Sequence, residues 1–550
     1  MIIDFNQYAD IGLKYDVCIV GSGAAGTVLF DILSRTKLKI ILLESGSEPL
    51  DSESQELNEG FLRLNGKQSS DEDSRVKSAL PHRTRGLGGS TNCWMGQCWP
   101  FPAETFSQRS WVKDSGWPVD LTQLKPFYDV ASQYVEITSD IFDERLWSLI
   151  GVPLPYDFST TEIKTVFGIR SGFLVNNEHA YLNWPGPVRF KKFLVTRDVE
   201  KSSNVVLYGA TLTDLRSNAD GIVKYGEIVN AKLQKRRIEA NIFILAAGGF
   251  ENPRILLNAN GGTGIGNETD CVGRYYNGHP VGMPADLICP NKTVATELQW
   301  KFQYQKVGNN RAIPHFAFRE SAQQRHQLLN SGIWLVADVD KESAVYKVMT
   351  LRDQLMSGGI TALDISFSEA LVLLANLDDL LVNAIRKLRN QGVKARMMEK
   401  IPLSYIAEGT PKRSSRIYLS KEKDRFGVKK LICDWHFDDQ EIENMYKVFK
   451  LFSKTARDLG WGRIQFRPES DVNSSDPFRG LHDAAHPSGT TRMSNDIKRG
   501  VVDKNLRVHS VKNLYVCGSS VFPTNGYESP TFTIVALAAR LAEHLKNIKI

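Results

Sequence analysis

At 550 residues, 42% of them hydrophobic and 10% aromatic, the chain has material for about three to four domain-sized cores. Its net charge of +6 comes from 68 basic and 62 acidic residues, and its basic runs (191–193, 234–237, 421–425) are short and interrupted, so no nucleic-acid partner is expected. No stretch has the uninterrupted apolar length of a bilayer span and the first residues lack a signal-peptide core, so a cytoplasmic chain without a membrane partner is expected.

The first element in chain order is YDVCIVG (15–21), rich in Val and Ile and suited to a strand buried on both faces. It runs into GSGAAG (21–26), then TVLFDILSRT with helical spacing, then KIILLESG (39–46), a second buried strand. Together these read as a βαβ unit. Residues 51–80 are polar and read as loop, while 85–100 is rich in glycine and aromatics and reads as ordered without a period. Between 204 and 247 the runs NVVLYGATLTDLRSN, KYGEIVNAKL and RRIEANIFILAA read as strands separated by turns, and the last leads into GGFENPRILLNAN, where a helix should begin. KFQYQKV (301–307) and RAIPHFAFRE (311–320) read as strands, and 366–390 as an amphipathic helix whose Asp378 and Asp379 favour packing over a membrane surface. NLYVCGSS (513–520) returns to a buried strand, and 529–547 closes the chain as a helix.

The alternation of strands and helices is strongest at the two ends. The expected fold is therefore α/β, with a Rossmann-type nucleotide domain assembled from 1–285 and 476–550. An α+β substrate domain with an antiparallel sheet, 286–475, is inserted in it, and part of 100–200 contributes to the substrate side. Trp300, Phe302, Tyr304, His315 and Phe316 can line its pocket or belong to its core. The seven cysteines are odd in number and form no paired CxxC motifs, so neither a disulfide framework nor a metal site is expected.

Gly21, Gly23 and Gly26 form GxGxxG directly after a strand. The first permits a tight turn, the second lets a pyrophosphate approach the backbone, and the third allows close helix–strand contact. Glu44, at the end of the next strand, is placed to accept hydrogen bonds from ribose hydroxyls. A merely tight turn is the competing reading, and the motif leaves NAD and FAD both open.

Five ordered segments narrow this: RGLGGSTNCW (85–94), AAGGFENPRILLNA (246–259), VGRYYNGHP (272–280), HPSGTTRM (486–493) and 500–545. Through them the chain resembles the glucose–methanol–choline (GMC) oxidoreductases. SGWP (115–118) and GSSVFPT (518–524) are similar to the bacterial, pyranose-oxidase-like branch. The resemblance implies FAD as cofactor and a small-molecule alcohol or sugar-like substrate, with oxygen or a separate carrier as electron acceptor. It places Gly88, Gly89, Ser90 and Asn92 against the isoalloxazine and pyrophosphate, and Gly518 and Ser519 at a second phosphate-proximal turn. Pro530 and Thr531 open the last helix, whose N-terminus would face the flavin's pyrimidine edge. His486 would take the alcohol proton during hydride transfer, while His279 and His482 read as structural or as supporting the site from behind.

The sequence departs from the family pattern twice. Ser529 stands where the family usually has Asn or His, with Glu528 and Asn525 as candidate substitutes. Cys93 stands where some relatives carry a flavin-bonded His; a thioether is the sharper reading, a packed thiol beside non-covalent FAD the plainer one. A lyase or decarboxylase of the same fold, or an accessory protein that keeps FAD structurally, are the competing functions.

Overall fold

The computed structural model describes residues 1–8, 14–68, 83–154, 156–172, 186–195, 204–338, 381, 397–437, 439–474, 476 and 478–548. The helix read at 366–390 lies outside these residues, apart from Leu381.

Among the described residues the architecture is mixed α/β with three sheets. The first has eight strands. Its centre is the parallel set Ile2–Asp4, Val205–Tyr208, Ile40–Leu43, Lys14–Val20 and Lys235–Leu245. Apolar runs such as Val17, Cys18, Ile19 and Val20 are buried almost completely, as strands covered on both faces require. Lys235–Leu245 changes partner along its length. Its first half pairs antiparallel with Val223–Val229, and Phe243, Ile244 and Leu245 pair parallel with Leu514–Val516. A stretch near the C-terminus is thereby seated beside the N-terminal βαβ unit. The helices Ala24–Leu33 and Thr531–Lys546 pack together and cover it.

The second sheet has nine strands, ordered Arg463–Phe466, Pro280–Ile288, Lys400–Ala407, Ser331–Leu335, Asn310–Phe318, Ile163–Arg170 and Gln97–Cys98, with Gln305–Val307 and His482–Asp483 at its margins. All its pairings are antiparallel. The 20-residue helix Asp439–Asp458 turns Met445, Val448, Phe449, Phe452 and Ala456 inward at helical spacing. Phe302 and Phe316 sit 4.7 Å apart by ring centroid and meet Trp461 at 5.7 and 5.5 Å. These rings are core, not pocket. Losing one such ring costs about 3–5 kcal/mol.

Two local readings need correction. Residues 51–68 are not loop: Asp51 caps the helix Ser52–Glu56 by accepting from the Ser54 N–H at 2.6 Å, and Gly60–Leu64 pairs in parallel with Lys429–Trp435 in a small third sheet. Polar residues on either side hid the short run GFLRL, whose partner strand lies hundreds of residues away. Likewise Lys301 and Phe302 end the helix Lys292–Phe302, so the strand there is limited to Gln305–Val307.

Candidate active site

A cavity of about 650 Å³ runs between the two large sheets, from Gly21 and Glu44 at one end to His486 and Ser529 at the other. Three helices begin on it: Ala24–Leu33, Gly248–Gly262 and Thr531–Lys546, none with a side-chain cap. Uncapped first-turn amides and the positive ends of three dipoles converge there, the physical requirement of an anion such as a diphosphate.

The three motif glycines do different work. Gly21 has φ +98°, and a Cβ on it would lie 2.8 Å from the Ala246 carbonyl oxygen. A Cβ on Gly26 would lie 1.8 Å from the Gly21 oxygen. Both close a packed turn. Around Gly23 a Cβ would meet nothing within 4 Å, so its bareness leaves space in the cavity for something other than protein. Gly89 packs on it, where a Cβ would come 2.8 Å from the Gly23 Cα.

Glu44 is buried and fully engaged. It accepts from the Ser22 amide at 3.0 Å and hydroxyl at 2.6 Å, and from the amides of Gly46 and Gly86 at 2.9 and 3.0 Å. It therefore joins the first glycine turn to the 85–92 loop. Asn58, Arg83 and Arg85 line the same end, with Arg83, Arg85 and Arg254 all on the Glu251 carboxylate at 2.9–3.1 Å. The three guanidiniums hold Glu251 far below the usual carboxylate range against its burial, and Arg83 is drawn down to about 10, first by burial. Sequence reading missed this cluster. Its signal was the pair of arginines just before the RGLGGS glycines.

At the other end, His486 Nδ1 lies 3.0 Å from His279 Nδ1, and His279 Nε2 lies 3.3 Å from the Asn525 carbonyl oxygen. A carbonyl oxygen only accepts, so His279 carries its proton on Nε2 and offers a lone pair at Nδ1. His486 then donates from Nδ1, which leaves its Nε2 unprotonated in a residue that lines the cavity. Burial favours this neutral pair: it pushes His486 down to about 4 and, with the neighbouring ring, His279 well below its ordinary value. Of the two readings of His279, structural or supporting the site from behind, the structure fits the second, placing it directly on His486. His482 is exposed.

Ser529, Pro530 and Thr531 line the cavity where the last helix starts, as do Ser90, Cys93, Gly89, Gly518 and Ser519. Ser519 also donates to the Pro487 carbonyl at 2.7 Å, tying its turn to the His486 segment. Gly26, Gly88 and Asn92 do not line it. Gly88, φ +92°, sits where a Cβ would meet the Lys191 nitrogen at 2.9 Å, and Asn92 donates to the Leu87 carbonyl at 3.0 Å, so both shape the loop from behind. Cys93 is exposed and within 3.4 Å of Thr84 Oγ1 and the Ser90 carbonyl. Glu528 is buried behind the cavity, where it accepts from the Tyr527 amide at 3.0 Å; burial, then Glu408 and Glu104, push it up to about 8. Asn525 meets the histidine pair through its backbone carbonyl rather than its side chain.

The walls beside His486 are aromatic. Of the five pocket-or-core residues named above, His315 lines the cavity, stacked on Trp334 at 4.9 Å and edge-on to Trp99 at 5.1 Å. Burial draws it down to about 3, and Gln97 Nε2 lies 3.1 Å from its Nε2. Val281, Trp334 and Ala484 pack on a small apolar cluster of Trp99, Ala317, Ile406 and Tyr527, separate from the main core. Among the described residues no group of acids, histidines and cysteines is arranged to hold a metal, all seven cysteines are free, and no helix is long and apolar enough to cross a membrane.

A family model described as GMC oxidoreductase matches residues 411–538. The chain is 22% identical to the fructose dehydrogenase large subunit of Gluconobacter japonicus, covering 97% of this chain and 98% of that one. It is also 22% identical to paromamine 6'-oxidase of Streptomyces fradiae, over 96% and 91%. Among solved structures, pyridoxine 4-oxidase from Mesorbium loti shares the fold at a TM-score of 0.54 and 17% identity, covering 98% of this chain and 100% of that one. The chain thus carries a GMC oxidoreductase model match at 411–538 and is similar over nearly its whole length to oxidases and dehydrogenases, which makes it an oxidoreductase enzyme similar to the GMC proteins.

Proposed function

We propose that the chain binds FAD along this cavity and oxidises a hydroxyl group on a sugar, amino sugar or related natural product, with His486 as the base. The observation that carries this is the His486–His279–Asn525 chain, which leaves one ring nitrogen of His486 unprotonated in the cavity.

The cradle suits the cofactor: three uncapped helix starts, the open space at Gly23 and the glycine backbones of 89 and 518 match a diphosphate and a flat ring system. FAD, when bound, supplies the two-electron acceptor for the carbinol hydride. His486 accepts the hydroxyl proton at Nε2, which raises electron density on the carbinol carbon. His279 holds the ring in the tautomer that makes this possible, and Ser529 offers a hydrogen bond to the substrate oxygen. The start of the last helix, at Pro530 and Thr531, stabilises negative charge that gathers beside it.

We assign residues 1–285 and 476–550 to a Rossmann-type FAD unit and 286–475 to a substrate unit. Strand Ile163–Arg170 in the antiparallel sheet supports a contribution of 100–200 to the substrate side. A fructose dehydrogenase subunit and a paromamine oxidase among the relatives support a sugar or amino-sugar substrate. The free cysteines support a cytoplasmic site of action.

Anaerobic mixing of the flavin-loaded protein with a panel of sugars, amino sugars and simple alcohols tests this reading. Bleaching of the flavin absorbance is expected with at least one of them, and His486→Ala should slow it about 10²–10⁴-fold. FAD retained with no bleaching by any of them would refute alcohol oxidation and favour a lyase or decarboxylase. Admitting oxygen afterwards separates an oxidase from an enzyme that needs another carrier.

A further inference from the structure

The turn that presents His486 is held from below by a carboxylate. Asp483 is 2% exposed and ends the short strand His482–Asp483, which pairs with Pro280–Ile288. Its Oδ1 accepts the Ala485 N–H at 3.1 Å, and the His486 N–H also donates to this carboxylate. Its Oδ2 accepts the Tyr276 hydroxyl at 2.9 Å, so the acid is itself anchored. Ala485, between the acid and the base, has φ +58°, a left-handed conformation that glycine takes freely and alanine does not. Just before it, Ala484 donates its N–H to the His279 carbonyl at 3.0 Å. A Cβ at Gly278 would lie 2.5 Å from Asp483 Oδ1, so the chain keeps room for this carboxylate at the residue just before His279.

We propose that Asp483 is a positioning residue: its carboxylate clamps the unfavourable turn at Ala485, and the clamp sets His486 in the cavity with Nδ1 on His279. The inference rests on His486 being the base. It assigns a function to an acid that touches neither the cavity nor any reacting atom.

The test uses the flavin-loaded enzyme with Asp483→Ala, Asp483→Asn, Ala485→Gly and the double variant Asp483→Ala/Ala485→Gly. Asp483→Ala should lower the limiting rate of anaerobic flavin reduction about 10–100-fold and leave substrate affinity within about threefold, since the base is displaced and not the binding wall. Asp483→Asn retains a carbonyl acceptor for the Ala485 N–H and should stay within about fivefold of the parent. Ala485→Gly alone should change little, and added to Asp483→Ala it should restore at least about fivefold, because glycine adopts the turn without the clamp. Histidine-labelled NMR supplies a readout that needs no substrate. The hydrogen-bonded His279–His486 signals should be lost in Asp483→Ala and kept in Asp483→Asn.

Parent-like reduction and unchanged histidine signals in Asp483→Ala would overturn the proposal. So would an Asn variant as impaired as the Ala variant, or a double variant no faster than Asp483→Ala. If the parent protein reduces its flavin with no alcohol, the proposed oxidation fails, while the histidine spectra still decide the clamp.

Discussion

The two ends of the cavity are built from different materials. At the Gly23 end the working groups are backbone: amides at helix starts, a turn closed by Gly21 and Gly26, and space where a side chain is missing. Glu44 takes part mainly by holding that backbone together. At the His486 end the working groups are the side chains of His279 and His486, ordered by the backbone carbonyl of Asn525, and their power depends on which nitrogen carries a proton. A backbone-built end tolerates change wherever the turn still closes. A side-chain-built end fails when a single acceptor is removed.

The largest expected effect breaks the first end. Gly26→Ala forces a Cβ to 1.8 Å from a carbonyl oxygen, so the turn cannot close, and soluble flavin-containing protein should be lost on expression. Gly23→Ala should instead leave thermal stability unchanged and weaken FAD binding, measured by titrating the apoprotein with flavin. Equal behaviour of the two variants would mean that the glycines do not divide into turn and cradle.

The next breaks the second end. His279→Leu removes the acceptor of the His486 Nδ1 proton, so the tautomer with a bare Nε2 is no longer selected. The limiting rate of flavin reduction should fall about 10–100-fold with FAD content unchanged. A parent-like rate would show that the tautomer is set by something else.

The smallest sharpens the boundary between the ends. Glu528 is held protonated well above its ordinary value of 4.5, up to about 8, by burial and by Glu408 and Glu104. Between those values the unfolded chain has lost this proton and the folded chain has not, so stability falls as pH rises, by ~1.4 kcal/mol per pH unit for this group. Glu528→Gln should flatten that decline in denaturant melts between about pH 5 and 8. His279, His315 and His486 act in the opposite sense. Their depressed values mean that stability is lost as pH falls below about 6.5, and this acid limb should survive in Glu528→Gln.

What could be read in the sequence follows the same division. The βαβ unit, the strand–helix passage at 235–262 and the last helix are each specified by neighbouring residues, and periodicity finds them. Gly21, Gly23 and Gly26 were legible because a turn is a local object. The roles of His279 and Asn525 were not, since no spacing law joins 279, 486 and 525. The strand Gly60–Leu64 was lost for a related reason: its partner, Lys429–Trp435, lies in another part of the chain. His486 itself was reached through resemblance rather than through pattern.

Strand Pro280–Ile288 pairs with Lys400–Ala407, Arg463–Phe466 and His482–Asp483, and it begins one residue after His279. Val281, on that strand, is part of the wall beside the base. The segment 279–288 thus carries both a piece of the cavity wall and the partner of His486. Val281 lies two residues from His279 and is the register partner of Ile406, so under the proposed function substitutions at either should change rate and substrate preference together. Trp334 lines the cavity from strand Ser331–Leu335, which does not pair with Pro280–Ile288, so substitution there should change substrate preference with less effect on turnover.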